Sequence, residues 1–395
     1  MKKVLIYYRY FGLTIGGGEY LPLTIIAELQ KKSCDVTLAL DWTDHFERAV
    51  GLIGVPVDLA RLKVVKVMPE NYRRTTNNAF ESYFRFRRLR RLAKDADVCI
   101  SLANIMDFGR PAHHVLITAD LGDPAFDEYQ RTGQIRRAPL LKRLRRFAAD
   151  SLLRPLLGMR SKRKIILDPR ERIYPNSKYV MSLMEGFYGP FNGTVFLPPT
   201  LFECGTAEPS ARDPLAVLFI GRVAPSKRVV ELIEIVEKAR ALSGKDITVN
   251  IAGRLPPGPY KDRLDEMAAT RKWIRFAGEA YGEAKATFLL SGTYAIHARD
   301  DEPFGISVTE YLKAGLIPLV ANGGGAKEIV DNPELTFRDR DEGARILARL
   351  VADGDFRERM RLRCAERAGA FSKESYLRHQ REILASIMNG PSAES

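Results

Sequence analysis

Cysteine and histidine, on which disulfide frameworks and zinc sites depend, are scarce in this chain. Its 395 residues include four cysteines and five histidines. The histidines are scattered, and the cysteines show no paired spacing: Cys34, Cys99, Cys204 and Cys364. The sequence therefore predicts neither a disulfide-stapled domain nor a zinc site, and isolated cysteines fit the reducing cytoplasm.

Long hydrophobic runs are also missing. No apolar segment approaches the roughly 18 residues that a membrane-spanning helix needs. A short apolar run follows Met1-Lys2-Lys3, but Arg9 interrupts it, and residues 16–19 are Gly-Gly-Gly-Glu where a signal-peptide cleavage region would lie. We interpret Val4–Tyr8 as a buried first strand.

What the chain does contain is a large and uneven positive charge. A hydrophobic content of 45% and a charged content of 28% are typical of a globular protein, and the length suits two domains. The net charge is +13. Residues 1–200 hold 33 lysines and arginines against 20 acidic residues, whereas residues 201–395 hold 29 of each. The first half is therefore expected to face an anionic partner.

Strands and helices alternate along both halves of the chain, which predicts α/β domains with parallel sheets covered on both faces. In the first half the predicted strands are Val4–Tyr8, Val36–Leu40, Val98–Leu102 and Val115–Thr118, and the predicted helices are Glu19–Lys31 and Phe80–Ala93. In the second half the predicted strands are Val217–Ile220, Thr248–Ala252, Ile274–Ala277, Tyr294–His297 and Ile317–Val320, and the predicted helices are Val229–Leu242 and one from about Ser307.

A proline-rich segment separates the two halves. We predict an N-terminal domain over residues 1–197, a linker over 198–214 and a C-terminal domain over 215–372. Residues 373–395 are expected to form a helix and a loose tail, and the helix either closes the second domain or crosses back to the first. The expected architecture is two doubly wound, Rossmann-like domains facing across a cleft, with ligands at the carboxyl ends of the strands.

Two glutamates eight positions apart, Glu302 and Glu310, are the most informative pair in the chain. Pro303 and Gly305 break regular structure after the first, and the helix that follows carries the second about one turn inside it. Two carboxylates at the ends of one elongated ligand suit the hydroxyls of a nucleotide sugar. The alternative is two ordinary surface glutamates.

Basic and glycine-rich loops follow the predicted strands. Gly221–Lys227 comes directly after Val217–Ile220, and its Arg222 and Lys227 suit a diphosphate near a helix N-terminus. Glycine-rich loops at 16–19 and 322–328 let main-chain amides approach a ligand closely. Neither is a G-x-G-x-x-G fingerprint, and any one of these loops alone is ordinary turn or surface chemistry.

Taken together, these loops resemble the retaining, nucleotide-sugar-dependent GT-B glycosyltransferases of family 4. The matching motifs are Gly16–Glu19, Pro175-Asn176-Ser177 with Tyr179, Gly221-Arg222 with Lys227, Glu302 to Glu310, and Gly323-Gly324-Gly325 with Glu328. They span nearly the whole chain and are most specific over residues 215–335.

The resemblance implies a role for each motif. Arg222 and Lys227 would hold and neutralise the donor diphosphate, Glu310 would bind the ribose, and Glu302 would bind the transferred sugar. Gly17 and Gly18 would border the phosphates and the acceptor. The expected donor site also includes Arg254, Phe304, Gly305 and Ile306.

The resemblance also implies chemistry without a metal, a cofactor or a protein nucleophile. One departure from the family concerns a histidine that many relatives carry just after the strand corresponding to Val115–Thr118. Here Asp120 is expected in that place, and His113 and His114 precede the predicted strand, which suggests structural or surface roles. The replacement would alter sugar preference or impair the enzyme.

Arginine-rich segments with interleaved apolar residues account for the charge of the first half. Arg87 and Arg88 lie in one, and Arg143, Arg145 and Arg146 in another. A basic amphipathic helix favours an anionic membrane surface, although an ordinary helix with its apolar face in the core has the same pattern. No nucleic-acid-binding motif is present.

These features predict a glycosyltransferase that transfers a sugar from a nucleoside diphosphate sugar to a glycan acceptor. The acceptor is expected to be lipid-linked, and the location cytoplasmic, peripheral on the inner membrane. The alternative is a catalytically degenerate relative that binds a sugar nucleotide or a partner protein. The sequence leaves open the base, the sugar, the acceptor and the linkage.

Overall fold

A computed structural model describes residues 1–12, 17–69, 79–102, 104–119, 121, 123–132, 154–205 and 211–389. The chain divides into two compact units. The first comprises Met1–Pro199 together with Leu377–Ser395, and the second comprises Thr200–Tyr376.

The first unit contains a parallel sheet of six strands among the described residues, with helices between them. Its elements are β1 (Lys3–Tyr8), α1 (Gly17–Lys31), β2 (Asp35–Leu40), α2 (Phe46–Ile53), β3 (Leu62–Lys66), α3 (Ala79–Ala93), β4 (Val98–Ser101), β5 (His113–Val115), α4 (Pro124–Thr132), α5 (Arg154–Leu156), α6 (Lys162–Ile166), β6 (Arg172–Tyr174) and α7 (Lys178–Tyr188). The strand order is β3-β2-β1-β4-β5-β6. Residues Val4 to Tyr8 of β1 are all buried because helices cover both faces of a central parallel strand.

The second unit repeats this architecture. Its elements are β7 (Asp213–Ile220), α8 (Val229–Ser243), β8 (Thr248–Ala252), α9 (Pro259–Thr270), β9 (Ile274–Gly278), α10 (Gly282–Leu290), β10 (Gly292–His297), α11 (Ile306–Lys313), β11 (Ile317–Ala321), α12 (Gly324–Val330), β12 (Thr336–Phe337), α13 (Arg340–Ala352) and α14 (Gly354–Ala368). The order of its parallel strands is β12-β11-β10-β7-β8-β9. The 3-10 turn Pro225–Lys227 separates β7 from α8.

The helix α15 (Lys373–Asn389) ends the described chain, and from Leu377 onwards it belongs to the first unit. The amide of Gln380 donates to the hydroxyl of Thr24 on α1 at 2.8 Å, and Arg381 contacts Glu28 at 3.2 Å. The side chains of Ile383, Leu384 and Ile387 are buried. One face of the helix therefore completes the first unit.

Both doubly wound parallel sheets are confirmed, and the predicted long elements are present. The strand predicted over Val115–Thr118 is wrong by two residues, because β5 pairs with its neighbours through His113 and His114. Those two histidines lie within the strand and not before it. Strands β3, β6 and β12 were missed: β3 is a partly exposed edge strand, and β6 and β12 have only three and two residues, too few to show a period.

None of the described helices combines the length and apolar character required for crossing a membrane.

Candidate functional site

The carboxyl ends of the second unit's strands place the predicted loops at one edge of its sheet. β7 and β10 are neighbours, and the chain continues from β7 to β8 on the other side. The order of the strands therefore reverses between β7 and β10, and ligands bind at such a switch point in open α/β sheets. Lys227 follows β7 and Glu302 follows β10, so both lie at this point of the sheet.

Lys227 and Glu302 contact each other there. The ammonium nitrogen Nζ of Lys227 lies 2.5 Å from Oε2 of Glu302, and both side chains are largely buried. The two residues are 75 positions apart, and the segment between them forms half of the strands of the sheet. The contact brings a cation suited to phosphate next to a carboxylate suited to sugar hydroxyls.

Two further basic side chains surround the same carboxylate. Nε2 of His297, at the end of β10, lies 3.3 Å from Oε2 of Glu302, and Nη1 of Arg299 lies 3.6 Å from it. Burial raises the pKa of Glu302, but the closeness of His297 and the charge of Lys227 outweigh it and leave that pKa below its ordinary value. Burial lowers the pKa of His297. Glu302 is therefore an anion at neutral pH.

The glycines at 323–325 allow close packing against the main chain around Glu302. A Cβ on Gly324 would lie 2.6 Å from the carbonyl oxygen of Glu302, and one on Gly325 would lie 2.5 Å from that of Pro303. The amide of Gly325 donates to the carbonyl of Glu302 at 2.7 Å. The sequence suggested that these glycines open the loop to a ligand, whereas the structure uses them to pack α12 against the loop that carries Glu302.

Glu310 lies on α11 and pairs with another lysine. Its Oε1 lies 2.6 Å from Nζ of Lys285 on α10, and only 8% of Glu310 is exposed. Burial raises its pKa, and the nearby charges of Lys285 and Lys313 partly oppose that rise. The two glutamates of the motif therefore occupy different electrostatic surroundings.

The two predicted arginines of the strand-end loops are exposed. Arg222 and Arg254 make no side-chain hydrogen bond or ion pair with the residues that the structure describes, and both are exposed. Their loops touch, since the amide of Val223 donates to the carbonyl of Arg254 at 2.9 Å. At Gly253, where φ is +141°, a Cβ would lie 1.8 Å from the carbonyl oxygen of Gly221, so only glycine fits.

The residues between the glutamates form the start of α11. Phe304 is buried, and its ring packs at 6.5 Å from that of Phe371, so its side chain belongs to the core of the unit. Gly305 caps the helix with φ of +108°, and Ile306 is half-buried. The contact of Phe304 with the donor stays a prediction.

In the first unit, the described part of the glycine loop begins α1. Gly17 is the first residue of that helix, and a Cβ on Gly18 would lie 3.1 Å from Cγ2 of Ile117, in the loop after β5. That loop is also held by Asn176, whose amide donates to the carbonyl of Ile117 at 2.9 Å. Ser177 caps α7 by accepting a hydrogen bond from the amide of Val180. Asp120 lies outside the described residues.

The side chains of the two histidines of β5 contact buried residues of the first unit. Nε2 of His114 lies 3.0 Å from Glu171, and both are fully buried. Nδ1 of His113 lies 3.1 Å from the hydroxyl of Tyr174, and burial lowers its pKa to about 4. The structural role predicted for them is consistent with these contacts.

The arginine-rich helix α3 is anchored in the core. Arg85 makes a buried bidentate pair with Asp41, at 2.7 Å and 3.0 Å, and Leu89 packs with Leu5 and Tyr7 of β1. Arg87 and Arg88 are exposed on the opposite side. α3 is therefore a core helix with an outer basic face. Arg143, Arg145 and Arg146 lie outside the described residues.

Carboxylates that could hold a metal are not gathered at this site. Three Asp-x-Asp triplets occur in the sequence, Asp95-Ala96-Asp97, Asp339-Arg340-Asp341 and Asp353-Gly354-Asp355. Asp97 accepts a hydrogen bond from the amide of Lys3, at the amino ends of the strands, and Asp339 and Asp353 cap α13 and α14. Over the described ranges, no three histidine, cysteine or acidic side chains form a metal-binding group.

Sequence reasoning missed three members of the site, His297, Arg299 and Lys285. His297 and Arg299 had a local signal, because they lie within five residues of Glu302 in the sequence, directly after the apolar pair Ala295-Ile296. Lys285 had none, because its contact with Glu310 spans 25 residues and two elements.

Comparison with known proteins shows which family the second unit is similar to. Residues 206–367 match the family model described as Glycosyl transferases group 1. One curated relative is the Phosphatidylinositol N-acetylglucosaminyltransferase GPI3 subunit of Saccharomyces cerevisiae (strain RM11-1a), which is 25% identical over 136 residues. The match covers 34% of this chain and 30% of the relative, so the chain spans under a third of that protein's length.

Solved structures match the whole chain in fold. A protein from Anabaena, Alr3699/HepE, solved in complex with UDP-glucose, has a TM-score of 0.65 at 15% identity, covering 98% of this chain and all of the other. WaaG, a glycosyltransferase involved in lipopolysaccharide biosynthesis, has a TM-score of 0.68 at 13% identity with the same coverage. The chain therefore has the GT-B fold, and its second unit is similar to the group 1 glycosyltransferases.

Proposed function

We propose that the protein is a retaining glycosyltransferase that moves a sugar from a nucleoside diphosphate sugar to a glycan acceptor. The contact between Lys227 and Glu302 carries the proposal, because it lies at the switch point of the sheet within the residues that match the group 1 model. The Anabaena neighbour was solved with UDP-glucose, which makes a uridine nucleotide the first donor to test.

The proposed roles of the basic residues follow from their charge and exposure. Breaking the bond between the anomeric carbon and the phosphate leaves negative charge on the diphosphate. Arg222 and Arg254 are exposed and without partners in the described structure, so they can bind phosphate oxygens without first breaking an ion pair. Lys227 would exchange part of its contact with Glu302 for the departing phosphate.

The proposed roles of the acidic residues follow from their ionisation. Glu302 is held as an anion and would accept hydrogen bonds from hydroxyls of the transferred sugar. Glu310 would accept hydrogen bonds from the ribose. In the proposed same-face mechanism, the leaving phosphate oxygen accepts the proton of the acceptor, so neither a protein nucleophile nor a metal is assigned. Asp120 is kept as the proposed neighbour of the donor sugar.

Replacing Lys227 or Glu302 tests this assignment. We expect Lys227→Ala and Glu302→Ala each to reduce transfer from a radiolabelled UDP-sugar to a membrane lipid fraction by at least about 100-fold, the loss typical for one stabilising group. Lys238→Ala is the matched control, because it removes a lysine from an exposed pair with Asp341 elsewhere in the unit. Full turnover in either site variant, with normal circular dichroism, would place the donor site elsewhere.

The proposal for the acceptor rests on the positive charge of the first half of the chain. The first half carries the whole excess of positive charge, and the exposed side of α3 presents Arg87 and Arg88. An anionic, lipid-linked glycan at the cytoplasmic face of the inner membrane, in polysaccharide or lipopolysaccharide assembly, suits that charge.

The second candidate is a degenerate sugar-nucleotide-binding subunit, favoured by the aspartate at 120 in place of the expected histidine. A thermal-shift panel with UDP, GDP, ADP and CMP, without added metal, separates the cases when combined with the transfer assay. Binding with transfer supports the enzyme, and binding without transfer supports the sugar-nucleotide-binding subunit. Binding of none excludes both of these and favours a degenerate relative that binds a partner protein.

A further inference from the structure

The ion pair between Lys285 and Glu310 has a consequence for the second glutamate of the motif. Glu310 is 8% exposed on α11, and the ammonium group of Lys285 reaches it from the neighbouring helix α10 at 2.6 Å. A buried carboxylate without a partner takes up a proton and becomes a neutral acid. A neutral acid is a weaker acceptor for two hydroxyls than a carboxylate.

Lys285 is itself held in place. Its Nζ lies 4.2 Å from the centroid of the Phe202 ring, in the segment that precedes β7. Only 20% of its side chain is exposed. Contact with an aromatic face stabilises an ammonium group and restricts a flexible side chain. The lysine is therefore fixed between Phe202 and Glu310.

Among the described residues, no other cation contacts Glu310. Lys313, on the same helix, bonds to the carbonyl of Thr200 at 2.6 Å and to Glu203 at 2.9 Å. Two other titratable neighbours among the described residues are Cys204 and Tyr311, and burial raises the pKa of both above their ordinary values. Both therefore stay largely neutral from pH 7 to pH 8, and in that interval a change in ionisation among these three side chains would be that of Glu310.

We propose that Lys285 is a positioning residue. It keeps Glu310 ionised and oriented so that its carboxylate can accept hydrogen bonds from the paired hydroxyls of a nucleotide ribose. The ammonium group takes one lone pair on Oε1 and leaves the remaining acceptor positions of the carboxylate for the ligand. The inference rests on the proposed function, since it assigns to Lys285 a part in the same donor site.

Affinity measured against pH tests the assignment. We expect wild-type protein to bind UDP with nearly constant affinity from pH 7 to 8 in isothermal titration calorimetry. In Lys285→Met, Glu310 loses its counter-charge and its pKa rises. A larger fraction of Glu310 is then protonated at neutral pH. Affinity at pH 7 should fall about tenfold, as for the loss of one hydrogen bond to a charged acceptor, and recover as the pH rises.

Three controls separate this role from a structural one. Lys285→Arg should restore affinity and its flat pH profile, because the charge returns. Lys238→Met removes an exposed lysine from the same unit and should change neither the affinity for UDP nor its dependence on pH. At pH 7, Lys285→Met should also lose most of the preference for UDP over 2′-deoxy-UDP, because Glu310 then no longer distinguishes the ribose.

The outcomes are distinct. Absence of UDP, GDP and ADP binding by the wild type overturns the proposed function. Wild-type binding with an unchanged, pH-independent Lys285→Met overturns the role of Lys285 alone. A loss in Lys285→Met that neither high pH nor arginine restores also overturns it, because Lys285 would then contact the donor directly.

Discussion

Glu302 and Glu310 lie eight positions apart, yet their surroundings shift their pKa values in opposite directions. Glu302 has three basic neighbours, Lys227, His297 and Arg299, and its pKa lies below its ordinary value. Glu310 has one contacting lysine, and burial dominates, so its pKa lies above its ordinary value. At the scale of single residues, the first glutamate stabilises the fold as an anion, whereas burial opposes the ionisation of the second.

This difference predicts opposite effects on stability. Glu302→Gln should lower the melting temperature at pH 7 by roughly 2–4 °C, the shift for about 1 kcal/mol in a domain of this size. A lowered pKa adds stability that is present above the unfolded value of 4.5 and is lost as the pH falls towards the folded value. The deficit of Glu302→Gln should therefore shrink below pH 4.5, as measured by calorimetry across pH.

Glu310→Gln should behave in the reverse way. With a raised pKa, the folded state binds more protons than the unfolded state, so stability falls as the pH rises from 4.5 through the folded value. Removing the charge should raise the melting temperature at neutral pH while weakening nucleotide binding. A lower melting temperature at pH 7 would mean that the pair with Lys285 outweighs the burial of the carboxylate.

At the scale of elements, α12 packs closely against the loop before α11, and this packing positions Glu302. Gly324 has φ of +68° and lies against the carbonyl of Glu302, so Gly324→Ala adds both backbone strain and a clash. We expect about 2–3 kcal/mol of destabilisation by denaturant titration and loss of nucleotide binding, because Glu302 must shift.

Gly244 provides the control for that element. It caps α8 with φ of +66°, and a Cβ there would meet nothing within 4 Å. Gly244→Ala therefore carries the strain without the clash and should cost about 1 kcal/mol with normal nucleotide binding. Equal losses in the two variants would show that the packing on Glu302 has no part in the effect.

The elements that sequence could predict are those with a local pattern. β7, α8 and β8 show apolar strands and a helical period within a few residues, and the loop Gly221–Lys227 follows from them. The partners of the charged residues could not be predicted, because the contacts Lys227–Glu302 and Arg85–Asp41 join residues 75 and 44 positions apart. Such contacts depend on the order of the strands, which a single sequence shows only weakly.

At the scale of the whole molecule, the charge asymmetry predicts attachment to anionic surfaces. Replacing Arg143, Arg145 and Arg146 by Gln should weaken flotation with liposomes that contain anionic lipid, by about 1 kcal/mol for each cation near the surface. Added salt should weaken the wild type in the same direction.

The matched control removes the same charge from the neutral half. Arg359, Arg361 and Arg363 of α14 form ion pairs with glutamates and are at least partly exposed. Replacing them by Gln should leave flotation unchanged. Equal flotation of the two triple variants and the wild type would exclude a membrane role for residues 143–146.

The last helix of the described chain, α15, joins a unit whose other residues were all encoded before the second unit began. Residues 200–376 are contiguous, whereas the first unit needs both Met1–Pro199 and Leu377 onwards. During synthesis, residues 200–376 therefore leave the ribosome before the helix that contacts α1 through Gln380. The half that is synthesised first is the half that is finished last, and until then Thr24 and Glu28 on α1 lack their contacts with Gln380 and Arg381.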